Sequence, residues 1–203
     1  MTRFLIVVLG AIAGATLSAT SAVVAADVSG TPGDDDLVGT PAADTISGFG
    51  GDDLIRSGRG ADVVLGGTGD DRIELGRSPL LEGPRGDFGA GGPGNDVLRG
   101  GPGYDVLAGK KGDDVLVGGP GSDMLEDDNG HDQLFGGGGG DAVTLGWGQD
   151  VVHLGRGSDG LYIGPDAETD VVFCGPGYDR VWYGEHLDPR DRFHGCEEFS
   201  DHP

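Results

Sequence analysis

Apolar and polar positions recur with a period of nine along residues 91–162. The stretch divides without a gap into eight units: GGPGNDVLR, GGPGYDVLA, GKKGDDVLV, GGPGSDMLE, DDNGHDQLF, GGGGGDAVT, LGWGQDVVH and LGRGSDGLY. Position four is always Gly, position six is always Asp and position eight is always aliphatic. Such self-similarity predicts a solenoid in which each unit packs against its neighbours.

The same frame extends in both directions. Five contiguous units precede this stretch over residues 30–74, and residues 163–173 and 174–182 follow it, the former loosely, which makes about 15 nonapeptide units. Residues 75–90 break the period, and we interpret them as irregular turns or a short insertion. The alternative, an exposed loop with a function of its own, stays open.

Each unit is predicted to form a six-residue turn and a three-residue strand. Side chains alternate along a strand, so position eight faces inward while positions seven and nine face outward. Two units then make one coil of 18 residues, and successive coils stack about 4.8 Å apart. The aspartates at position six therefore align in columns along two edges. In residues 91–162 the predicted columns contain Asp96, Asp114, Asp132 and Asp150 on one edge and Asp105, Asp123, Asp141 and Asp159 on the other; residues 30–74 give Asp35, Asp53 and Asp71 on one edge and, opposite, Asp44 and Asp62.

Composition and charge indicate that the predicted solenoid needs a bound cation. The chain has 44 Gly, 11 Pro and a formal charge of −22, which without a period would indicate disorder. Carboxylates stacked about 5 Å apart repel by about 1 kcal/mol per pair even in water, and one aliphatic per unit is a thin core. A divalent ion between the coils would reverse that repulsion. Oxygen ligands, with no His or Cys at the column positions, favour several Ca²⁺ ions over zinc or copper.

The units GGTGDDRIE, GGPGNDVLR, GGPGYDVLA and GGPGSDMLE match the pattern G-G-x-G-x-D-x-U-x, and the chain resembles the RTX-type (hemolysin-type) nonapeptide-repeat calcium-binding β-roll family. The resemblance implies an all-β fold, a right-handed parallel β-roll (β-solenoid). It also implies calcium bound between stacked turns by the position-six aspartates named above and by turn glycines. Those glycines are Gly66, Gly69, Gly91, Gly94, Gly100, Gly103, Gly118 and Gly121.

Some turns depart from the family pattern. Asp127 and Asp128 replace the first two glycines of their unit, Leu145 and Leu154 replace the first, and Ala42 replaces the fourth. We expect these turns to bind calcium weakly or not at all. The ending CGPGYDRV with a later Cys-Glu-Glu is similar to the ending of small secreted bacterial members of the family.

The ends of the chain have a different character. Residues 1–26 have Arg3, an apolar run and then small residues, which predicts a cleaved secretory signal; a membrane anchor is the alternative. The predicted organisation is a signal peptide at 1–26, a first β-roll block at 27–74, irregular turns at 75–90, a second block at 91–182 and a C-terminal cap at 183–203. Cys174 and Cys196 are expected to form a disulfide that closes the cap, with two free thiols as the alternative.

No catalytic signature is present in the sequence. HExxH, G-x-S-x-G and zinc-binding cysteine sets are all missing, so we expect no enzyme, although a loop at 75–90 would be the place for one. The acidity disfavours nucleic acid. We expect a secreted, extracellular monomer that folds on binding calcium and does not stay in a membrane after cleavage. The alternative is a structural or adhesive protein, rigidified by calcium, that binds a cell-surface or matrix polymer.

Overall fold

The computed structural model describes residues 5–6, 24–77, 86–184 and 187–201. These residues form β-strands joined by turns, with no helix among them. The strands are β1 (Leu5–Ile6), β2 (Asp27–Ser29), β3 (Asp36–Val38), β4 (Thr45–Gly50), β5 (Leu54–Arg56), β6 (Val63–Thr68), β7 (Arg72–Glu74), β8 (Phe88–Pro93), β9 (Val97–Arg99), β10 (Val106–Lys111), β11 (Val115–Pro120), β12 (Met124–Glu126), β13 (Gln133–Gly138), β14 (Ala142–Leu145), β15 (Val151–Arg156), β16 (Gly160–Ile163), β17 (Val171–Phe173), β18 (Arg180–Tyr183), β19 (Arg192–His194) and β20 (Glu198–Ser200).

The strands build two parallel sheets, one from the odd-numbered strands and the other from the even-numbered strands. Each strand pairs with the next strand but one, so the chain alternates between the sheets and advances by one coil every two strands. In the regular part the paired residues are 18 positions apart, as in Val115↔Gln133 and Val106↔Met124. The molecule is therefore a parallel β-solenoid of about nine turns, which confirms the predicted all-β solenoid.

The core between the sheets comes from position eight of each unit. In a three-residue strand such as β5 only the central residue, Ile55, is buried. Burying an aliphatic side chain of this size stabilises the fold by about 1.5–3 kcal/mol. The buried position-eight residues include Leu37, Ile46, Ile55, Val64, Ile73, Leu98, Leu107, Leu116, Leu125, Leu134, Val143, Val152, Leu161, Val172 and Val181. Each regular coil thus contributes two such residues, and the hydrophobic core stays narrow.

One coil is longer than the others without interrupting either sheet. Val63 pairs with Phe88, 25 positions on, instead of 18. Gly89 then occupies the position where other units have an aliphatic residue. The fully buried Leu75 fills that space, because a Cβ on Gly89 would lie 3.1 Å from Leu75 Cδ1. Residues 78–85, the middle of the segment that breaks the period, lie outside the described residues.

The C-terminal coils are tied by the predicted disulfide. Cys174 and Cys196 are bonded, with their Cα atoms 5.2 Å apart, which confirms the pairing. Phe193 packs against the core and makes an edge-to-face contact with Phe199, with ring centroids 5.1 Å apart. These contacts hold β19 and β20, the last strands of the two sheets, against the coil before them.

Most of the predicted leader, residues 1–26, lies outside the described residues. Of that segment, Leu5–Ile6 pairs in parallel with β3, and residues 24–26 lead into β2. Among the residues that the structure describes, no helix is long and apolar enough to cross a bilayer.

Candidate metal centre

The position-six aspartates form two continuous columns. The first edge contains the turns that lead from an even-numbered strand into the next odd-numbered strand, and the second edge contains the turns that lead from odd to even. On both edges the backbone N–H of each aspartate donates to Oδ1 of the aspartate one coil further on, at 2.5–3.1 Å. The first-edge column is Asp35, Asp53, Asp71, Asp96, Asp114, Asp132, Asp150, Asp170 and Asp191. The second-edge column is Asp44, Asp62, Asp87, Asp105, Asp123, Asp141, Asp159 and Asp179, and Asp179 donates to Glu197.

Most column side chains are buried, and in eleven of them Oδ2 has no hydrogen-bond partner among the described residues. The first turns differ, because Oδ2 of Asp35 accepts from Thr31 N–H and Oδ2 of Asp44 accepts from Thr40 N–H. Asp105 and Asp114, for example, are at most 1% exposed. Buried polar atoms in proteins almost always have partners, so an orphan repeated coil after coil requires an explanation. Among the described residues, no hydrogen-bond donor contacts the buried Oδ2 atoms of Asp53, Asp71, Asp96, Asp105, Asp114, Asp123, Asp132, Asp141, Asp150, Asp159 and Asp179.

In the units that begin with glycine, this first glycine leaves space beside Oδ2 of the position-six aspartate. A Cβ on Gly48 would lie 2.1 Å from Asp53 Oδ2 and 2.3 Å from the carbonyl oxygen of Gly66, one coil further on. A Cβ on Gly118 would lie 2.6 Å from Asp123 Oδ2. Any side chain here would collide with both oxygens. The turn therefore brings a carboxylate oxygen and a backbone carbonyl oxygen together on two adjacent coils.

The fourth glycine has a different role, which is to let the coils approach each other. Gly121 has φ 155°, and a Cβ there would lie 1.5 Å from the carbonyl oxygen of Gly103. Gly94 packs in the same way on the carbonyl of Gly69. An L-residue would be strained in this conformation and would also push the coils apart.

The electrostatics of the columns favour a bound cation. Burial raises the pKa of Asp53, Asp71 and Asp96 to about 6 and that of Asp114 and Asp123 to about 7. The hydrogen bond from the preceding coil lowers each pKa, and the charges of neighbouring aspartates raise it further. Desolvation thus disfavours the carboxylate form unless a positive charge compensates it.

The donor set fits calcium. The gaps between regular coils offer carboxylate Oδ2 atoms and glycine carbonyl oxygens, which are hard ligands. Because two adjacent coils supply these oxygens, the gap suits a cation that takes six to eight ligands. The glycines predicted from the sequence stand at two kinds of position in the turns. Gly66, Gly91, Gly100 and Gly118 stand beside Oδ2, while Gly69, Gly94, Gly103 and Gly121 lie where the coils make their closest contact.

Several turns have a side chain where these glycines stand. Leu75, Leu145, Leu154 and Cys174 occupy the first position and are buried in the core. Ser57 also occupies it, and its hydroxyl donates to the carbonyl of Leu75. An apolar side chain supplies no ligand and fills the space that a glycine leaves open. The departures at Leu145 and Leu154 therefore have a physical basis for weak binding. Ala42 differs from them, because it stands at the fourth position, where its carbonyl oxygen would lie 2.4 Å from a Cβ on Gly60.

The columns include residues that the sequence-based site missed. Asp87 lies between Asp62 and Asp105 in the second column, although it belongs to the segment that breaks the period. Asp170 and Asp179 extend the two columns towards the C-terminus, where coils are longer by two residues. Their place in the chain was an available signal, because Asp87, Asp170 and Asp179 each directly precede a β-strand, as the other column aspartates do.

Stacked acidic turns on a parallel β-solenoid define a class of protein in which metal sites lie between the coils. The sequence comparison agrees with this class, since residues 29–64, 50–77, 90–125 and 126–161 match the RTX calcium-binding nonapeptide repeat, in four copies. The chain belongs to the RTX calcium-binding nonapeptide repeat family, which implies a calcium-binding β-roll. The comparison with curated proteins gave no match.

Proposed function

We propose that the protein is a secreted, non-enzymatic β-roll that folds when it binds several Ca²⁺ ions between its stacked turns. The observation that carries the proposal is the series of buried Oδ2 atoms that have no hydrogen-bond partner among the described residues and lie beside a first-position glycine, those of Asp53, Asp71, Asp96, Asp105, Asp114, Asp123 and Asp141. Desolvating an unpaired carboxylate costs several kcal/mol, so a column of them is a poor end state without a cation. The binding free energy of the ions would therefore contribute directly to folding.

The proposed sites are the regular turns. On the first edge these are the turns beginning at Gly30, Gly48, Gly66, Gly91 and Gly109, and on the second edge those at Gly39, Gly100, Gly118 and Gly136. In each of these turns a Cβ on the first glycine would meet Oδ2 of the position-six aspartate. We propose that about ten ions offset most of the charge of −22.

The finer features of the roll are part of the proposal. We infer right-handed winding, because parallel crossover connections are right-handed in nearly all proteins, and about 15 nonapeptide units. Export followed by cleavage after Ala25 or Ala26 would place the chain where calcium is on the order of a millimolar. N-terminal sequencing of the exported protein tests this step: a chain that retains Met1 would contradict it.

Calcium titration by isothermal calorimetry tests the binding itself. We expect several ions per chain with dissociation constants on the order of 10⁻⁴ to 10⁻³ M, the range of extracellular calcium modules. Magnesium should bind more weakly, because it requires near-ideal octahedral geometry and dehydrates reluctantly. No heat of binding at millimolar calcium, with the protein at neutral pH, would overturn the proposal.

One observation favours a second candidate, a calcium-rigidified structural or adhesive protein. Phe135, His153, Phe173 and His194 stack on the outer face of the odd-numbered sheet, with centroids 4.6–5.2 Å apart. A flat row of rings on a rigid roll suits a cell-surface or matrix polymer. Co-sedimentation with such polymers tests this candidate, with Phe173→Ala as the variant that should release the protein and Phe49→Ala, elsewhere on the surface, as the control.

A further inference from the structure

Asp127 stands at the first position of its unit, where regular turns have glycine, and its side chain points into the first-edge column. It is only 2% exposed. Its Oδ1 is buried and has no hydrogen-bond partner among the described residues, while Oδ2 accepts a long hydrogen bond of 3.5 Å from the N–H of Gly146. An apolar or small residue at this place would avoid the cost of burying a carboxylate. The chain instead places a carboxyl group there.

The surroundings of Asp127 are acidic on two coils. One carboxylate oxygen from each of Asp114, Asp127 and Asp132 lies within 4.8 Å of the other two, and all three residues are buried. The nearby ammonium group of Lys110 pairs with Glu126 at 3.4 Å and with Asp128 at 3.5 Å. The two half-buried neighbours of Asp127 thus both pair with Lys110.

We propose that Asp114, Asp127 and Asp132 form a three-carboxylate calcium site in which the Asp127 side chain supplies a ligand that the glycine turns lack. The inference rests on the proposed calcium function of the columns and adds to it one site of higher affinity. More carboxylate ligands raise the affinity of a calcium site, so we expect this site to fill at calcium concentrations about tenfold below those of the regular turns.

The site also has an access route and a spectroscopic reporter. A surface cavity of about 320 Å³ is lined by Asp127, Thr144 and Trp147, among others. Trp147 is 70% exposed and belongs to the turn stacked on the Asp127 turn, because its N–H donates to the carbonyl of Asp128. An indole beside a calcium site can sensitise the luminescence of Tb³⁺, which takes the same oxygen ligands.

The experiment titrates Tb³⁺ into the calcium-depleted protein while exciting tryptophan. In the wild type, emission should appear at the lowest terbium concentrations, and it should nearly vanish in Trp147→Phe. Asp127→Asn keeps the size of the side chain and removes its charge, and Asp127→Gly restores the residue of the regular turns. Both should move the titration midpoint to about tenfold higher concentration, and the first calcium to bind by calorimetry should weaken equally.

Asp128→Asn is the matched control, because it removes one negative charge from the adjacent residue, whose side chain faces Lys110. Its midpoint should stay within about twofold of the wild type. Asp127 variants that titrate like Asp128→Asn would overturn the inference while leaving the proposed function intact. A wild type that binds neither Tb³⁺ nor calcium would overturn both. Since glycine is the usual residue here, Asp127→Gly keeps the test decisive if Asp127→Asn folds poorly.

Discussion

The backbone N–H of Asp105 donates to Oδ1 of Asp123, one coil further along the second edge, at 2.9 Å. The side chain of Asp123 therefore has two roles. Its Oδ1 joins adjacent coils and its Oδ2 remains for a cation. Aspartate suits both roles because its two oxygens point to the neighbouring backbone and to the gap, whereas an asparagine would present an NH₂ group where the cation belongs. At the end of the second column Glu197 accepts the corresponding hydrogen bond from Asp179 N–H at 2.9 Å.

Asp71→Asn should weaken calcium binding while preserving the coil-to-coil hydrogen bond, because the amide oxygen can still accept from Asp53 N–H. We expect calcium affinity at the adjacent gap to fall about tenfold or more, equivalent to about 1.4 kcal/mol. Asp70→Asn is the control: Asp70 is exposed and accepts from Asn95 N–H, so the same charge change should have little effect. Calorimetry compares the two variants, and equal losses would contradict a special role for the buried column.

Gly118→Ala should block one gap between coils by steric collision. The new Cβ would lie 2.6 Å from Asp123 Oδ2 and 2.7 Å from the carbonyl oxygen of Gly136. We expect the free energy of unfolding, measured by melting in calcium, to fall by about 1–3 kcal/mol, as it does in an overpacked core. Gly138→Ala provides the comparison, because a Cβ there has no described atom within 4 Å. If both alanine variants melt alike, the close contact at Gly118 is not the reason for its glycine.

The calcium-free roll should become more stable as the pH falls. Burial raises the pKa of Asp53 and Asp96 to about 6 and that of Asp114 and Asp170 to about 7, from a value of 3.8. These carboxyls take up protons on folding, so their contribution to stability is fully present below about pH 4 and is lost as the pH rises through 6–7. Calcium binding needs the ionised form, and apparent calcium affinity should therefore rise over the same interval.

Circular dichroism of calcium-depleted protein at about pH 5 and about pH 8 checks the pH dependence, with urea midpoints measured where a transition exists. The β signal should be larger at the lower pH without calcium. In saturating calcium the order should reverse, with the greater stability at the higher pH. A calcium-free protein equally structured at both pH values would show that the column carboxyls do not control folding.

Reducing the Cys174–Cys196 disulfide should loosen the C-terminal coils. The bond closes a loop over a sequence separation of 22 residues, for which chain entropy gives a stabilisation of about 3 kcal/mol. Cys174 is also buried at a first position. The double variant Cys174→Ala with Cys196→Ala is therefore a cleaner test than reduction alone. Thermal melting in saturating calcium measures the loss. An unchanged melting temperature would mean that packing of Phe193 and Phe199 suffices to close the end.

The sequence period was enough to predict the solenoid, the inward aliphatics and most of both columns, because every regular unit repeats the same contacts. It failed at Asp87 for a physical reason. The coil there has seven more residues, and Gly89 lacks the aliphatic side chain that marks position eight, since Leu75 fills the core from another position. A one-dimensional pattern cannot show that two positions exchange their roles in packing.

The turn at Asp127 shows the other limit of the pattern. From the sequence, replacement of both first glycines indicates a weakened site. The structure buries the Asp127 side chain beside Asp114 and Asp132, where it adds a carboxylate instead of blocking the gap. Leu145, one coil further on, has the same first position and is buried in the core. Under the proposed three-carboxylate site, the chemistry of the residue, and not its departure from glycine, would decide how well the turn binds calcium.

Circular dichroism of the protein in excess chelator at neutral pH, followed by addition of millimolar calcium, tests most directly whether the ions and the fold form together. We predict an expanded chain with little β signal in chelator and a cooperative gain of β-sheet on adding calcium, while the same concentration of magnesium leaves the chain largely unfolded. A full β-sheet spectrum in chelator that calcium does not change would contradict the account.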